Sequence, residues 1–189
     1  YRYLMYNNVN INVVNLDSGM TPLIRAMAHE RWNVVDELLQ KGADVSQQPQ
    51  SLPGNTGSIL SATALSYALF FNNKTNLVEK LLKLGASVNE KYMLGETPIF
   101  HALNNKNKDN ILDNVKTLLK YGAKINSTDS TGRTPLMKAM EAKSLDYDVI
   151  KLLLDSGANA QHKTQSNWTP LFMAVLKGDS KLISLLLHY

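Results

Sequence analysis

The sequence feature that most constrains the fold is a short pattern that returns five times along the chain. Each copy opens with Thr, has Leu or Ile two positions later, and reaches a Leu-Leu pair that is followed, except in the last copy, by Gly-Ala. The opening threonines lie 42, 34, 37 and 35 positions apart, at Thr21, Thr63, Thr97, Thr134 and Thr169. A unit that returns at a nearly fixed spacing predicts a stack of repeats, each burying its apolar side against the next.

The copy at 132–160 shows what one unit contains. Thr134 and Pro135 predict the start of a first helix, because a Thr hydroxyl caps free backbone N–H groups and Pro fits the first helical position. A second helix follows and ends at Gly157, since glycine adopts the left-handed C-terminal conformation without strain. The apolar positions of the two helices are Leu136, Ala139 and Met140, then Val149, Ile150, Leu152, Leu153 and Leu154.

The full motif, Thr-Pro-Leu with Val-x-x-Leu-Leu-x-x-Gly-Ala-x-Val/Ile-Asn, resembles the ankyrin repeat family, whose period is about 33 residues. The resemblance covers nearly the whole chain. It implies an all-α fold, an ankyrin-repeat α-solenoid of stacked helix-turn-helix units joined by β-hairpin-like loops.

We expect one ankyrin repeat domain over 1–189. Its approximate units are a partial one at 1–15, then 16–48, 58–91, 92–128 and 129–163, and a truncated one at 164–189. The segment 47–60 is rich in Gln, Pro, Gly and Ser and predicts an inserted loop. Such a loop is either a tolerated insertion or a contact element on one edge of the solenoid. Since the chain opens with Tyr1 and stops before the last glycine, we expect a fragment of a longer protein.

Composition and charge narrow the class of protein. The chain has no cysteine, which excludes disulfides and thiolate sites, and it has no apolar run of the roughly 18 residues that would predict membrane insertion. The net charge is +4, but lysines alternate with acidic residues instead of forming a basic face, so we expect no nucleic-acid binding. We expect a monomer in the cytoplasm, or in the host cytosol if the chain is an effector, with a nuclear location left open.

The sequence gives no pattern that predicts catalysis. There is no G-x-S-x-G, phosphate loop or H-E-x-x-H, and we expect no enzyme activity, cofactor or metal. The four histidines have no ligand spacing and are interpreted as surface or turn residues: His29, His101, His162 and His188. Asn89 and Asn126 occupy a hairpin position that is hydroxylated in some proteins similar to this family, but we favour a turn-stabilising amide.

Without a catalytic pattern, the candidate functional site is a binding surface. The resemblance implies that partners bind a concave face made of the hairpin tips and the exposed side of the first helix of each unit, which we call the inner face. The residue before each opening Thr, the two residues before each unit's glycine position near the hairpin tip, and the residues at the exposed end of the helix would lie there. The site residues predicted on this face are Met20, Phe70, Phe71, Met93, Leu94, Glu96, Arg133, Trp168 and Leu176.

Several of these side chains are large and apolar where the packing pattern does not need them, and such patches mark interaction sites. The alternative is that Phe70 and Phe71 fold back over the 47–60 loop or a neighbouring unit. We expect a protein-binding module, the targeting part of a larger adaptor or effector, with a partner that the sequence does not identify. The alternative function is a regulatory or substrate-docking appendage of an enzyme whose catalytic domain lies elsewhere.

Overall fold

A computed structural model describes residues 10–16, 18–47, 63–71, 75–104, 110–142 and 145–189. Within these ranges the chain forms helices and no β-strand, which confirms the all-α prediction. The helices are α1 (Pro22–Ala28), α2 (Trp32–Gln40), α3 (Ala64–Phe71), α4 (Thr75–Lys83), α5 (Pro98–Leu103), α6 (Ile111–Lys120), α7 (Pro135–Glu141), α8 (Tyr147–Asp155), α9 (Pro170–Lys177) and α10 (Ser180–His188), with a 3₁₀ turn at Met93–Gly95. Consecutive helices pair, and each pair lies inside one of the predicted units.

The first helix of each unit, which we call the inner helix, begins directly after the opening threonine. The hydroxyls of Thr21, Thr134 and Thr169 accept hydrogen bonds from the backbone N–H three residues later, at 3.2, 3.4 and 3.1 Å. Thr63 caps α3 in the same way at 3.3 Å, although Ala64 replaces the proline. The hydroxyl of Thr97 does not cap α5. It lies 3.1 Å from the Ser127 hydroxyl instead.

The second, outer helices bury an apolar stripe, and those of the first four units are followed by glycine. Asp146 and Asp179 cap α8 and α10 with their carboxylates, accepting from backbone N–H groups at 2.9 to 3.2 Å. Gly157 follows α8 with φ of +90°, the left-handed conformation that stops a helix without strain.

The units stack through their inner helices, so that α1, α3, α5, α7 and α9 contact one another in that order. Among the outer helices, α4 contacts α6 and α6 contacts α8. One continuous apolar core runs between the two layers. The predicted apolar positions of the internal units form it, for example Leu23, Leu65, Ile99 and Leu136 on the inner helices and Leu81, Leu118 and Leu153 on the outer ones.

Asparagine amides join neighbouring units at the base of each loop. The Asn89 amide donates to the Gly122 carbonyl at 2.9 Å and accepts from the Lys124 N–H at 2.8 Å. Asn126 makes the same pair of bonds one unit further on, to Gly157 and Asn159. Each of these two amides therefore stabilises the loop that follows the outer helix of the next unit.

Some sequence predictions lie outside the described residues. These are the partial unit before residue 10 and nearly all of the 47–60 loop. The described part of the chain contains no helix of the length and apolarity needed to cross a bilayer.

Candidate functional site

Closed turns at the tips of the units carry the predicted inner-face residues that precede each threonine. The bonds that close them run from backbone N–H to carbonyl: Tyr92 to Glu96 at 2.8 Å, Asp129 to Arg133 at 3.0 Å and Thr164 to Trp168 at 3.0 Å. Neighbouring tips also touch, because the Ser130 N–H donates to the Leu94 carbonyl at 2.7 Å. The tips of the third and fourth units are therefore fixed relative to one another.

Ion pairs show which positions share the inner face. Arg133, before its Thr, pairs with Glu141, seven positions after it, at 2.7 Å. Lys138, four positions after the Thr, lies 3.8 Å from both Glu141 and Glu96 of the preceding unit. The positions one before, four after and seven after the threonine are thus neighbours on one surface, within a unit and between units.

Leu94 is the most exposed of the predicted site residues whose side chains the structure describes. Its side chain is 70% exposed, and its backbone has φ of +63°, in the left-handed region that leucine rarely adopts. The tip turn holds this residue in a conformation that costs free energy and presents an apolar side chain to solvent. A costly backbone conformation of this kind is often associated with function.

A second apolar group lies on the fifth unit. Trp168 is 41% exposed and its ring meets that of Phe172 edge to face, with 5.0 Å between the centroids. Leu176, in the last turn of α9, is 63% exposed. Trp168 and Leu176 occupy the positions that Arg133 and Glu141 occupy one unit earlier, so they belong to the same face.

The other predicted apolar residues are not shown as exposed side chains. Met20 and Phe70 are partly buried. Phe71 lies at the end of α3 and Met93 in the 3₁₀ turn, but their side chains fall outside what the structure describes. The alternative in which Phe70 and Phe71 cover the 47–60 loop involves residues that are not described.

A charged centre occupies the inner face of the third and fourth units. Arg133 donates to Asp129 at 2.9 Å and to Glu141 at 2.7 Å, and these bonds raise the pKa of its guanidinium against the opposing effect of burial. Asp129 also accepts from the Thr131 hydroxyl and from two backbone N–H groups of its own turn, which outweigh its burial and lower the pKa of its carboxyl.

Glu96 has a different environment from the other acidic residues of the centre. Its side chain is only 13% exposed, and none of the hydrogen bonds among the described residues involves its carboxylate. The nearest cationic atom, Nζ of Lys138, lies at 3.8 Å, beyond hydrogen-bond range. Burial therefore raises the pKa of Glu96, and Lys138 offsets this only in part.

His101 corrects one sequence interpretation, because it is not a surface or turn residue. It lies in α5, mostly buried, with its ring 5.0 Å from that of Tyr92. Burial, with Lys138 as the second cause, lowers the pKa of His101 to about 4. Although Nε2 lies 3.6 Å from Glu96, the contact at neutral pH is between a carboxylate and a neutral ring.

Burial likewise raises the pKa of Tyr92 to about 12, and the Tyr92 hydroxyl lies 2.7 Å from the Thr63 hydroxyl. The ring of Tyr92 thus packs on His101 within the third unit, while its hydroxyl reaches Thr63 of the second unit.

Sequence reasoning missed Lys138 and His101 as members of this face. Both stand four positions after the opening threonine, and positions four and seven after it are three apart on a helix, hence adjacent on its surface. That spacing was the signal that could have identified them.

The described residues hold no cluster of His, Asp and Glu suited to a metal ion. A comparison with curated proteins gives no match. The model of ankyrin repeats in three copies matches residues 65–164 and 108–189, and the single ankyrin repeat model matches residues 18–49. Together these matches span most of the sequence and overlap all ten helices described above. The chain belongs to the ankyrin repeat family.

Proposed function

We propose that this chain is a protein-binding module that holds a partner protein on its inner face, as the targeting part of a larger adaptor or effector. Ankyrin repeats are generally protein–protein interaction modules, and the fold is typically non-catalytic. The proposal adds a location for the partner and residues that contact it.

One observation carries the location. Leu94, Trp168 and Leu176 are large apolar side chains exposed at inner-face positions, whereas the packing positions of the internal inner helices are filled by other residues. Exposed apolar groups on a soluble surface mark interaction sites, and aromatic anchors carry much of the energy of an interface. The charged centre between them supplies specificity, because polar groups set orientation and exclude wrong partners.

The test compares two exposed leucines. Leu176→Asp alters the inner face, while Leu187→Asp alters an outer-helix leucine of similar exposure, 69% against 63%. Proteins bound by the immobilised wild-type chain from a cell extract are identified by mass spectrometry and then titrated as purified proteins. We expect Leu176→Asp and Trp168→Ala to weaken binding at least tenfold and Leu187→Asp to leave it within twofold.

Circular dichroism of all three variants checks that the fold is intact. Equal binding by the two Asp variants, or a loss confined to Leu187→Asp, would overturn the location that we propose.

A further inference from the structure

The centre of the inner face has a deficit of positive charge. Three carboxylates, those of Glu96, Asp129 and Glu141, face two cations, Arg133 and Lys138, among the described residues of the cluster. His101 does not compensate, because its lowered pKa keeps the ring neutral at physiological pH. The centre therefore carries a net charge of about −1, although the chain as a whole carries +4.

Glu96 is the carboxylate whose negative charge is least compensated. Asp129 and Glu141 are both hydrogen-bonded to the guanidinium of Arg133 at 2.7 to 2.9 Å. The Glu96 carboxylate has Lys138 at 3.8 Å on one oxygen and the neutral ring of His101 at 3.6 Å on the other. A partly buried carboxylate without a hydrogen-bond donor is costly, and a donor brought by a ligand would relieve that cost.

The surroundings of Glu96 suit a long basic side chain. Leu94 lies two residues away in the same closed turn and is exposed. Arg and Lys side chains place their methylene stems on apolar groups while the charged end reaches a carboxylate. A guanidinium can also bond both oxygens of one carboxylate, which gives it the better geometry of the two.

We infer that the inner face binds a peptide segment of its partner that places an Arg or Lys side chain on Glu96 and a large apolar side chain on Trp168 and Leu176. This inference rests on the proposed function and adds the chemistry of the partner. The two contacts belong to the third and fifth units, two helix spacings of 8–10 Å apart, or roughly 16–20 Å. An extended chain covers about 3.3–3.6 Å per residue, so the basic and apolar residues should be roughly five or six positions apart.

The experiment selects peptides from a random 12-residue phage-displayed library on the wild-type chain. We expect the bound peptides to share a basic residue with a Trp, Phe or Leu five or six positions away. One such peptide and its Arg→Gln or Lys→Gln analogue are then titrated by fluorescence anisotropy against wild type, Glu96→Gln, Lys138→Met and Trp168→Ala.

The two substitutions around the carboxylate should act in opposite directions. Glu96→Gln removes the charge with little change in shape and should weaken the basic peptide about tenfold, while leaving its uncharged analogue within twofold. Lys138→Met removes the cation that competes for Glu96 and should tighten the basic peptide several-fold. A loss of folding would weaken every peptide in both variants, so it cannot produce this pattern.

The outcomes separate the two proposals. If the selected peptides depend on Trp168 but lack a basic residue, or bind Glu96→Gln as tightly as wild type, the charge assignment is wrong and the proposed function stands. If no peptide is selected, or if every selected peptide ignores both Trp168 and Glu96, the inner face is not the binding surface and both proposals fail.

Discussion

Asn114 is a polar residue at an apolar position of an outer helix. The corresponding residues of the other units are all apolar: Leu77, Val149 and Leu182 are buried and Val34 is partly buried. Asn114 is also buried, and among the described residues neither its amide nitrogen nor its amide oxygen has a hydrogen-bond partner. The unit tolerates this amide because the rest of the helix supplies the core, but an unsatisfied buried polar group lowers stability.

Replacing Asn114 with Leu should therefore stabilise the protein. We expect the free energy of unfolding to rise by about 2 kcal/mol, since the change removes buried polar atoms without a partner and keeps a similar volume. Urea denaturation followed by circular dichroism gives the value, with Asp113→Ala on the exposed side of the same helix as the neutral control. A lower midpoint for Asn114→Leu would show that the amide does have a partner in solution.

His101 makes stability depend on pH. Its pKa is about 4 in the folded chain and about 6.5 when unfolded. Between these values the unfolded chain binds the proton and the folded chain does not, so stability is lost as pH falls. The raised pKa of Glu96 acts in the opposite sense, because that group loses stability as pH rises above its unfolded value.

The contribution of His101 is isolated by comparison with His101→Gln, which does not titrate. We expect the wild type to lose about 2 kcal/mol more than the variant between pH 7 and pH 5. Denaturant midpoints at the two pH values measure this difference. Parallel pH profiles for the two proteins would mean that the histidine charges freely in the folded state.

At the scale of elements, the tip turns of the third and fourth units approach each other closely. A Cβ atom at Gly95 would lie 3.1 Å from the backbone nitrogen of Ser130 in the next tip. Gly122 has a similar left-handed backbone, with φ of +85° against +70°, but a Cβ atom there would meet nothing within 4 Å. A side chain at either glycine would strain the backbone, but only a side chain at Gly95 would also collide with the next tip.

Substituting each glycine with Ala should show this difference. Gly122→Ala should cost about 1 kcal/mol of unfolding free energy from the left-handed backbone alone. Gly95→Ala should cost at least about 1 kcal/mol more, because backbone atoms of two tips must move apart. Equal losses in urea denaturation would indicate that the tips are not in contact in solution.

At the scale of the whole molecule, α9 of the fifth unit contacts α7 and α10, and no other described element packs on its far side. Leu171, Phe172 and Val175 are 37 to 57% exposed, whereas Leu136, Met137 and Met140, the same positions one unit earlier, are fully buried by the next unit. In a repeat stack each unit is stabilised by contact with its neighbours, so stability should fall toward this face.

Hydrogen exchange under native conditions measures that gradient. In this 189-residue chain we expect the amides of α9 and α10 to exchange at least tenfold faster than those of α7 and α8, because local opening of the last unit breaks one interface instead of two. Uniform protection across α7 to α10 would show that the stack unfolds as a single cooperative unit.

The sequence by itself determined the helices, their order and the apolar side of each helix. Thr134, Pro135 and Gly157 act on their own backbone, and the apolar spacing of Leu136 or Leu153 needs only the helical period to select the buried side. Such features are readable because each depends on residues a few positions away.

Only the tertiary structure decided the properties of the inner face. His101 is buried against Tyr92, whose hydroxyl reaches Thr63 of the preceding unit. Among the described residues Glu96 has no hydrogen-bond donor, because Lys138, 42 positions later, stops at 3.8 Å. The same motif position is buried at Met137 and exposed at Phe172, depending on whether another unit stacks against it. These outcomes depend on contacts between units, which a pattern within one unit does not encode.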